Sequence, residues 1–308
     1  MITALGGGVG AAKFLEGLSS VIQSEPLNVI VNTGDDICLN GLSISPDVDT
    51  IIYRLSGVID KKKGWGLEGD TFHSLNSLER FGLETWFNIG DKDLATHLYR
   101  TYLRGKGHTP TEIALKIADA FKLARNLKIM PMTDQDVETW IQTNEGEMHF
   151  QEYLVKKKMK PEVCRVTIRG IDHADPAPGI LDSIKQARAV IICPSNPIIS
   201  IGPILQVKGI REALKITQAE IIAISPLVGG VPLKGPADRL MRGLGLEVSS
   251  AQVARLYSDF LDTMVIDVED VHEKREISDM GLKTLAVDTV MSDKEKSAKL
   301  ASSVLELI

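Results

Sequence analysis

The chain has few of the features that mark secreted, membrane or nucleic-acid-binding proteins. Only three of its 308 residues are cysteines, and they lie far apart, which argues against a disulfide framework and against a zinc cluster. No run of about 18 apolar residues occurs, and the apolar start lacks the basic segment of a signal peptide. The formal net charge is −6, whereas a nucleic-acid surface needs a basic stripe. We therefore expect a cytoplasmic protein that binds neither membrane nor nucleic acid.

Short apolar runs that end in turn residues are the strongest periodic signal in the sequence. Runs of this length are typical of strands buried on both faces, as in a parallel sheet covered by helices. Helix-length segments such as Gly209–Thr217 and Ser250–Leu261 separate the later runs. The predicted strands are Ile2–Leu5, Val29–Val31, Val190–Cys193, Ile221–Ile224, Met264–Ile266 and Leu285–Val287.

The alternation of strands and helices predicts the fold class. Strand–helix–strand repeats form right-handed crossovers, so we expect a Rossmann-like α/β fold: a doubly wound, mostly parallel sheet of about six strands in a three-layer α/β/α arrangement. Residues 1–308 are predicted to form a single domain. Within it, residues 88–160 are predicted to be an insertion, helical at its start, that covers one edge of the ligand cleft.

A glycine-rich turn follows the first predicted strand. Residues 6–13 read Gly-Gly-Gly-Val-Gly-Ala-Ala-Lys and open a helix. Glycine permits positive φ and close backbone approach, and the helix N-terminus presents free N–H groups to an anion. We interpret Gly8, Gly10 and Lys13 as part of a phosphate-binding site; the alternative is a tight turn without a ligand.

Two later strand ends are predicted to complete the phosphate site. Ser195 and Asn196 follow one strand directly, and their side chains are suited to donate hydrogen bonds to phosphate oxygens or to a base edge. Gly229 and Gly230 follow another strand. Parallel strands bring their carboxyl ends to one edge of the sheet, so these loops are expected to meet the first turn there.

Four aspartates lie within fifteen residues, just beyond the end of the second predicted strand: Asp35, Asp36, Asp47 and Asp49. Mg²⁺ takes oxygen ligands, often one or two carboxylates together with substrate phosphates and water. The alternative for any one of them is helix capping or turn chemistry. We predict a Mg²⁺ site formed by these four residues.

Several other enzyme classes are disfavoured. A nicotinamide-binding Rossmann domain needs an acidic residue at the end of the second strand, where this chain has Asn32. No Gly-Lys-Ser/Thr sequence closes the first turn as in a Walker A loop, and no Gly-x-Ser-x-Gly elbow of a serine hydrolase occurs. The six histidines show no metal-ligand spacing. The glycine turn therefore indicates phosphate without fixing which phosphate compound binds.

Taken together, the motifs resemble one family, the 2-phospho-L-lactate transferases, which assemble the deazaflavin coenzyme F-420. The resemblance spans nearly the whole chain in the family's order. The chain departs from the family at two places. Residues 37–40 read Ile-Cys-Leu-Asn, a variable stretch, and position 88 is Asn where many relatives carry a basic residue. The matching segments are Gly6–Lys13, Asn32–Asp36, Ile44–Thr50, Gly90–His97, Met148–Gln151, Ser195–Pro203 and Ser225–Pro236.

The resemblance implies a transferase without redox chemistry. Its donor is lactyl-2-diphospho-5′-guanosine or an enolpyruvyl counterpart, and its acceptor is the deazaflavin Fo. The Fo hydroxyl attacks the phosphorus nearer the lactyl group, GMP leaves, and coenzyme F-420-0 forms. The resemblance places Asp49 and Asn88 at the deazaflavin, with Asp49 as the catalytic residue. It also implies a homodimer.

Two rival functions stay open from the sequence. A sister family of nucleotide-sugar-binding regulatory proteins shares the glycine-rich turn and an Asp-Asp pair, although residues 45–50 and 90–97 are not expected there. A nicotinamide-dependent oxidoreductase is the second rival, weakened by Asn32. Whether the donor carries lactate, enolpyruvate or glycerate is also open.

Overall fold

A computed structural model describes residues 1–308 and contains fourteen β-strands. All six predicted apolar runs lie in strands. The strands are β1 (Ile2–Gly6), β2 (Leu27–Val31), β3 (Ile37–Leu39), β4 (Leu42–Ile44), β5 (Leu127–Pro131), β6 (Glu138–Thr143), β7 (Gly146–His149), β8 (Val163–Arg169), β9 (Ala189–Ile192), β10 (Glu220–Ile224), β11 (Leu227–Val228), β12 (Val231–Pro232), β13 (Thr263–Asp267) and β14 (Lys283–Val287).

Twelve α-helices connect and cover the strands. None of them combines the length and the apolar character that a membrane crossing requires. The helices are α1 (Gly8–Val21), α2 (Pro46–Leu55), α3 (His73–Leu78), α4 (Asp91–Gly105), α5 (Pro110–Ala120), α6 (Ile180–Gln186), α7 (Gly202–Gln206), α8 (Ile210–Ile216), α9 (Ala237–Gly243), α10 (Ser250–Tyr257), α11 (Lys274–Asp279) and α12 (Lys294–Leu305).

Seven strands form one parallel sheet in the order β14-β13-β10-β9-β1-β2-β5. The chain starts inside the sheet at β1, runs outward through β2 and β5, and returns to the other side of β1 at β9. This is the strand order of a doubly wound Rossmann-like sheet, whose direction of winding reverses between β1 and β9. A ligand crevice is expected at the carboxyl ends of these two strands.

Helices cover both faces of the sheet, which confirms the three-layer prediction. All five residues of β1 are buried, and they alternate between the two cores: Ala4 packs with α1, α2 and α12, whereas Leu5 packs with α6, α8 and α10. Strands of this kind show continuous apolar runs because neither face meets water.

The span 88–160 begins with helices α4 and α5, as expected. It also contains β5, which pairs with β2 at the edge of the main sheet, so the span does not lie wholly outside that sheet. Lys128 and the terminal Pro131 hide this strand from the apolar pattern, and an edge strand tolerates both residues. Farther on, β6 and β7 join β8 in a small antiparallel sheet.

The start of α5 shows how local sequence sets an element boundary. The Thr109 hydroxyl accepts a hydrogen bond from the Glu112 backbone N–H, and the Glu112 side chain accepts one from the Thr109 N–H. Pro110 occupies the first helical position, where its missing N–H is not needed. The local sequence at Thr109–Pro110 is therefore sufficient to set where α5 begins.

Candidate active site

A cleft of about 670 Å³ lies at the carboxyl ends of β1 and β9, where the winding reverses. Its polar side is formed by the turn after β1, the start of α2 and the loop after β9. Apolar and aromatic side chains also line the cleft, and some of them, such as Trp65 and Phe87, lie outside the sequence motifs. The apolar lining includes Trp65, Phe87, Phe150, Leu154 and Ile199.

The glycine turn joins the two central strands. Ser195, just after β9, accepts a hydrogen bond from the Gly7 backbone N–H at 3.2 Å and donates one to the Gly7 carbonyl at 3.0 Å. Gly8 begins the 14-residue helix α1 with φ of +71°, a backbone conformation that favours glycine. The N-terminus of α1 therefore opens into the cleft beside the loop after β9, as predicted.

The other glycines of the turn serve close packing. A Cβ on Gly10 would lie 2.2 Å from the Pro194 carbonyl oxygen, and a Cβ on Gly7 would lie 2.1 Å from Asp47 Oδ2. Gly10 also lines the cleft, but its close contact with the Pro194 carbonyl is by itself enough to require glycine at this position. Gly7 allows the Asp47 carboxylate to approach the backbone of the turn.

Asp35 and Asp47 form a buried acidic pair on the cleft wall. Asn32 donates a hydrogen bond to Asp47 Oδ2 at 3.0 Å, whereas Asp35 Oδ1 has no hydrogen-bond partner. Burial raises the pKa of Asp47 to about 6, against hydrogen bonds from Asn32 and the Gly8 backbone. Burial, and next the charge of Asp47, raise the pKa of Asp35 well above its usual range. Two neighbouring buried carboxyls, one of them with an unpartnered oxygen, call for a cation when both are ionised.

The pair suits Mg²⁺ as part of a mixed coordination sphere. No group of three or more His, Cys, Asp or Glu side chains is arranged to hold a metal ion by itself. Mg²⁺ commonly takes one or two carboxylates and completes its shell with substrate phosphates and water. Asp35 and Asp47, beside the glycine turn at the N-terminus of α1, fit that pattern.

The structure separates Asp36 from this pair. The Ser45 hydroxyl donates to Asp36 Oδ1 at 2.7 Å. Asp36 lines a second, much smaller cavity with Arg100 and Arg104 and does not line the cleft. Burial raises the pKa of Asp36 to about 8, with the Ser45 hydrogen bond opposing the shift. Of the four predicted metal ligands, Asp36 is therefore the one that faces away.

Asp49 lies two residues after Asp47 on α2 and also lines the cleft. It is ion-paired with Arg100 through Oδ1. Its other oxygen, Oδ2, is buried without a hydrogen-bond partner. Burial raises the pKa of Asp49, and the charges of Arg100 and His97 oppose the shift.

Arg100 and His97 belong to a chain of buried polar contacts between α2 and α4. Arg100 Nη1 lies 3.2 Å from His97 Nδ1, and His97 Nε2 lies 3.3 Å from Asp93 Oδ2. The Tyr53 hydroxyl donates to Asp93 Oδ1 at 2.7 Å. Burial acts to raise the pKa of Asp93, but the hydrogen bonding and charge of His97, the Tyr53 hydrogen bond and the charge of Arg100 together lower it. The i, i+4 spacing of Asp49 with Tyr53 and of Asp93 with His97 places each pair on one helix face. This spacing is visible in the sequence and would have predicted that the members of each pair lie close together.

Lys13 and Asn196 reach the cleft from opposite sides of the switch point. Lys13 Nζ donates to the Met291 carbonyl at 2.7 Å, and its pKa is lowered by burial and by the nearby charge of Lys234. Asn196 Oδ1 accepts from the Ile198 and Ile199 N–H groups, which leaves its buried Nδ2 without a partner. Lys13 Nζ and Asn196 Nδ2 are donors suited to an anionic ligand.

Gly229 and Gly230 do not line the cleft. Both have positive φ in the β11–β12 hairpin, and their N–H groups donate to the Asp270 carboxylate at 3.2 and 3.0 Å. Lys234, a few residues farther along, lines the cleft instead. Asn88 is exposed and lies at the cleft rim beside Phe87.

Comparison with known proteins was consistent across the whole chain. Residues 2–306 match the family described as 2-phospho-L-lactate transferase CofD. The chain is 42% identical to the 2-phospho-L-lactate transferase of Methanosarcina acetivorans, covering 98% of this chain and 97% of that protein. It is 38% identical to the phosphoenolpyruvate transferase of Streptomyces griseus, covering 99% and 98% of the two proteins.

Solved structures support the fold. A crystal structure of a UPF0052 family protein from Bacillus halodurans aligns with a TM-score of 0.63 at 16% identity, over 99% of this chain and 98% of that one. At this level of identity the likeness concerns the fold alone.

Proposed function

Since the chain belongs to the 2-phospho-L-lactate transferase family, which is a family of enzymes, we propose that it transfers a 2-phospholactyl group, or its enolpyruvyl counterpart, to the deazaflavin Fo. The donor is lactyl-2-diphospho-5′-guanosine or the corresponding enolpyruvyl compound. The products are GMP and coenzyme F-420-0.

One observation carries the proposal: a single cleft is lined by a glycine turn at a helix N-terminus, by a buried carboxylate pair and by the aromatic side chains of Trp65, Phe87 and Phe150. The N–H groups of the turn, Lys13 Nζ and Asn196 Nδ2 suit the donor diphosphate. The apolar lining suits a flat tricyclic acceptor, because aromatic side chains stack on such rings. The position of Asn88 at the rim beside Phe87 supports its assignment to the acceptor.

The reaction balances with the groups on the cleft wall. The oxygen of the Fo side-chain hydroxyl forms a bond to the phosphorus nearer the lactyl group, and the bond from that phosphorus to the bridging oxygen of GMP breaks. GMP leaves with the bonding electron pair. Asp49 accepts the proton of the hydroxyl, for which its unpartnered Oδ2 and its raised pKa are suited. Phosphoryl transfer depends mainly on such positioning and on charge neutralisation.

Asp35 and Asp47 would hold Mg²⁺, and Asp49 is not needed as a ligand because Arg100 already neutralises it. When bound, Mg²⁺ supplies positive charge to the diphosphate oxygens. The buried acidic pair supports this assignment, since ionising both carboxyls without a cation is unfavourable.

The test is product formation from defined donors. The protein is incubated with Fo, Mg²⁺ and either the lactyl, the enolpyruvyl or the glyceryl donor, and the product is followed by mass, by deazaflavin fluorescence and by GMP release. We expect equal amounts of GMP and phosphodiester with one preferred donor, and loss of both with a chelator.

Three outcomes would contradict the proposal. Tight nucleotide binding without any product would favour the regulatory alternative. Oxidation or reduction of a nicotinamide would favour the oxidoreductase. Full activity in the presence of chelator would remove the role of Mg²⁺.

A further inference from the structure

The ion pair between Asp49 and Arg100 raises a question that the proposed reaction leaves open. A carboxylate that accepts a proton from the acceptor hydroxyl needs one oxygen held in place and the other free. Arg100 contacts Asp49 Oδ1, whereas Oδ2 has no hydrogen-bond partner. Arg100 is buried and does not line the cleft, so it acts on substrate only through its neighbours.

The hydrogen-bonding capacity of arginine fixes the state of His97. Guanidinium has donors and no acceptor, so the His97 Nδ1 that lies 3.2 Å from Arg100 Nη1 accepts and carries no proton. The proton of a neutral imidazole is then on Nε2, which lies 3.3 Å from Asp93 Oδ2. Asp93 is itself oriented by the Tyr53 hydroxyl at 2.7 Å.

This tautomer keeps Asp49 Oδ2 available. His97 Nδ1 lies 3.7 Å from Asp49 Oδ2, which exceeds hydrogen-bond distance, and without a proton it has nothing to donate. The two ends of the guanidinium fork thus contact Asp49 and His97 at once, and α4 supplies both Arg100 and His97.

We propose that Arg100 is a positioning residue: by donating to His97 Nδ1 and to Asp49 Oδ1 at once, it fixes Asp49 by one oxygen and leaves the other for the acceptor hydroxyl. The inference rests on the proposed function, because it assigns a geometry to the group that accepts the proton. It extends that function to Arg100, which does not line the cleft and contacts substrate only through its neighbours.

The principal test compares Arg100→Lys with Arg104→Lys. Lysine keeps the charge but offers no planar fork, so it does not hold Asp49 and His97 together. Arg104 lies on the same helix and pairs with the exposed Asp136, which makes it a matched control. We expect kcat of Arg100→Lys to fall by roughly 10²-fold, as for misplaced catalytic groups generally. The KM for the donor should stay within about twofold, because ground-state donor contacts are unchanged. Arg104→Lys should match the wild type.

A second measurement reads the tautomer without turnover. In ¹⁵N NMR of histidine-labelled protein, with His97→Gln to assign the signal, wild type should show an unprotonated Nδ1 and a protonated Nε2. A protonated Nδ1 would overturn the Arg100 contact. If Arg100→Lys does not fold, the double variant Asp49→Asn/Arg100→Gln is compared with the single variant Asp49→Asn. We expect the two variants to have equal residual kcat, because Arg100 acts through Asp49.

The outcomes separate the two proposals. Wild-type protein that forms no product with any donor refutes the proposed function, while the tautomer measurement still decides the geometry. Active wild type with unchanged kcat in folded Arg100→Lys overturns the role of Arg100 alone. A further tenfold loss in the double variant, relative to Asp49→Asn, would also overturn it.

Discussion

Two glycine-containing turns follow strands of the main sheet, and each contacts a buried aspartate. In the turn after β1, Gly7 and Gly8 lie against Asp47, beside the unpartnered oxygen of Asp35. In the β11–β12 hairpin, Gly229 and Gly230 direct their N–H groups to Asp270. The two turns look alike in sequence and differ in what their surroundings leave unsatisfied.

The difference shows when a glycine turn binds a ligand. Asp270 receives two backbone hydrogen bonds and has no unpartnered oxygen, so the hairpin is complete without a ligand. The turn after β1 stands at a helix N-terminus, with two acidic groups that need a cation and donors that need an anion. Buried polar groups are normally paired, and Asp35 Oδ1 and Asn196 Nδ2, which are not, both belong to residues that line the cleft.

The largest expected effect comes from the aspartates of the two turns. Asp47→Asn removes one charge of the proposed Mg²⁺ site, so turnover should fall roughly 10²- to 10³-fold, as for loss of one preorganised electrostatic group. Single-turnover product formation at several Mg²⁺ concentrations measures it. Asp270→Asn is the matched control and should keep near-wild-type turnover; equal losses in both variants would erase the contrast between the turns.

The stability of the protein without ligand should depend on pH through Asp47. Burial raises the pKa of Asp47 from its ordinary 3.8 to about 6, so between these values the folded chain holds a proton that the unfolded chain has released. Ionisation of Asp47 should therefore lower the free energy of unfolding by about 3 kcal/mol as pH rises through this window, in addition to the contributions of the other buried aspartates. Urea titrations at pH 4 to 7 measure the slope.

Asp47→Asn should reduce that slope without abolishing it, because the pKa values of Asp35, Asp36 and Asp49 are also raised. Mg²⁺ should oppose the loss at the upper end of the window by favouring the ionised pair. Asp270→Asn should change the slope less, because two amide hydrogen bonds partly offset the burial of that carboxyl. A slope that Asp47→Asn leaves unchanged would show that Asp47 titrates normally.

Substitution of Gly8 should weaken donor binding. An L-residue at φ of +71° costs about 1–2 kcal/mol, and its side chain would enter the space beside the Asp47 carboxylate. Gly8→Val should therefore raise the Kd for the donor about tenfold, because that cost falls mainly on the bound turn. Isothermal titration with a non-reacting donor analogue measures it; an unchanged affinity in folded protein would remove the turn from the donor site.

The smallest effect is expected at the hairpin. Gly229→Ala introduces a side chain at φ of +59° with no neighbour within 4 Å, so it should cost stability by about 1 kcal/mol through backbone strain alone. Thermal unfolding should register that loss while the donor KM stays at the wild-type value. A changed KM for the donor would show that Gly229 contributes to donor binding after all.

The local signals in the sequence were sufficient for most of the fold. Continuous apolar runs predicted six strands of the main sheet because a strand covered on both faces must be apolar along its length. The Thr109–Pro110 start of α5 was predictable because a cap is a contact between near neighbours. The edge strand β5 was not predicted, because Lys128 and Pro131 interrupt its apolar run. Both residues are tolerated in a strand that has one side unpaired.

For the site, the sequence by itself predicted the first glycine turn as a phosphate-binding site, since helix N-termini and glycine backbones are local features. Only the tertiary structure decided which aspartates share the cleft. Asp35 and Asp36 are adjacent in sequence, yet one faces Asp47 in the cleft and the other Ser45 behind it. Arg100, far along the chain, neutralises Asp49 because α4 packs beside α2. Charge pairing depends on distances of a few ångströms in space, and these are set by packing rather than by spacing along the chain.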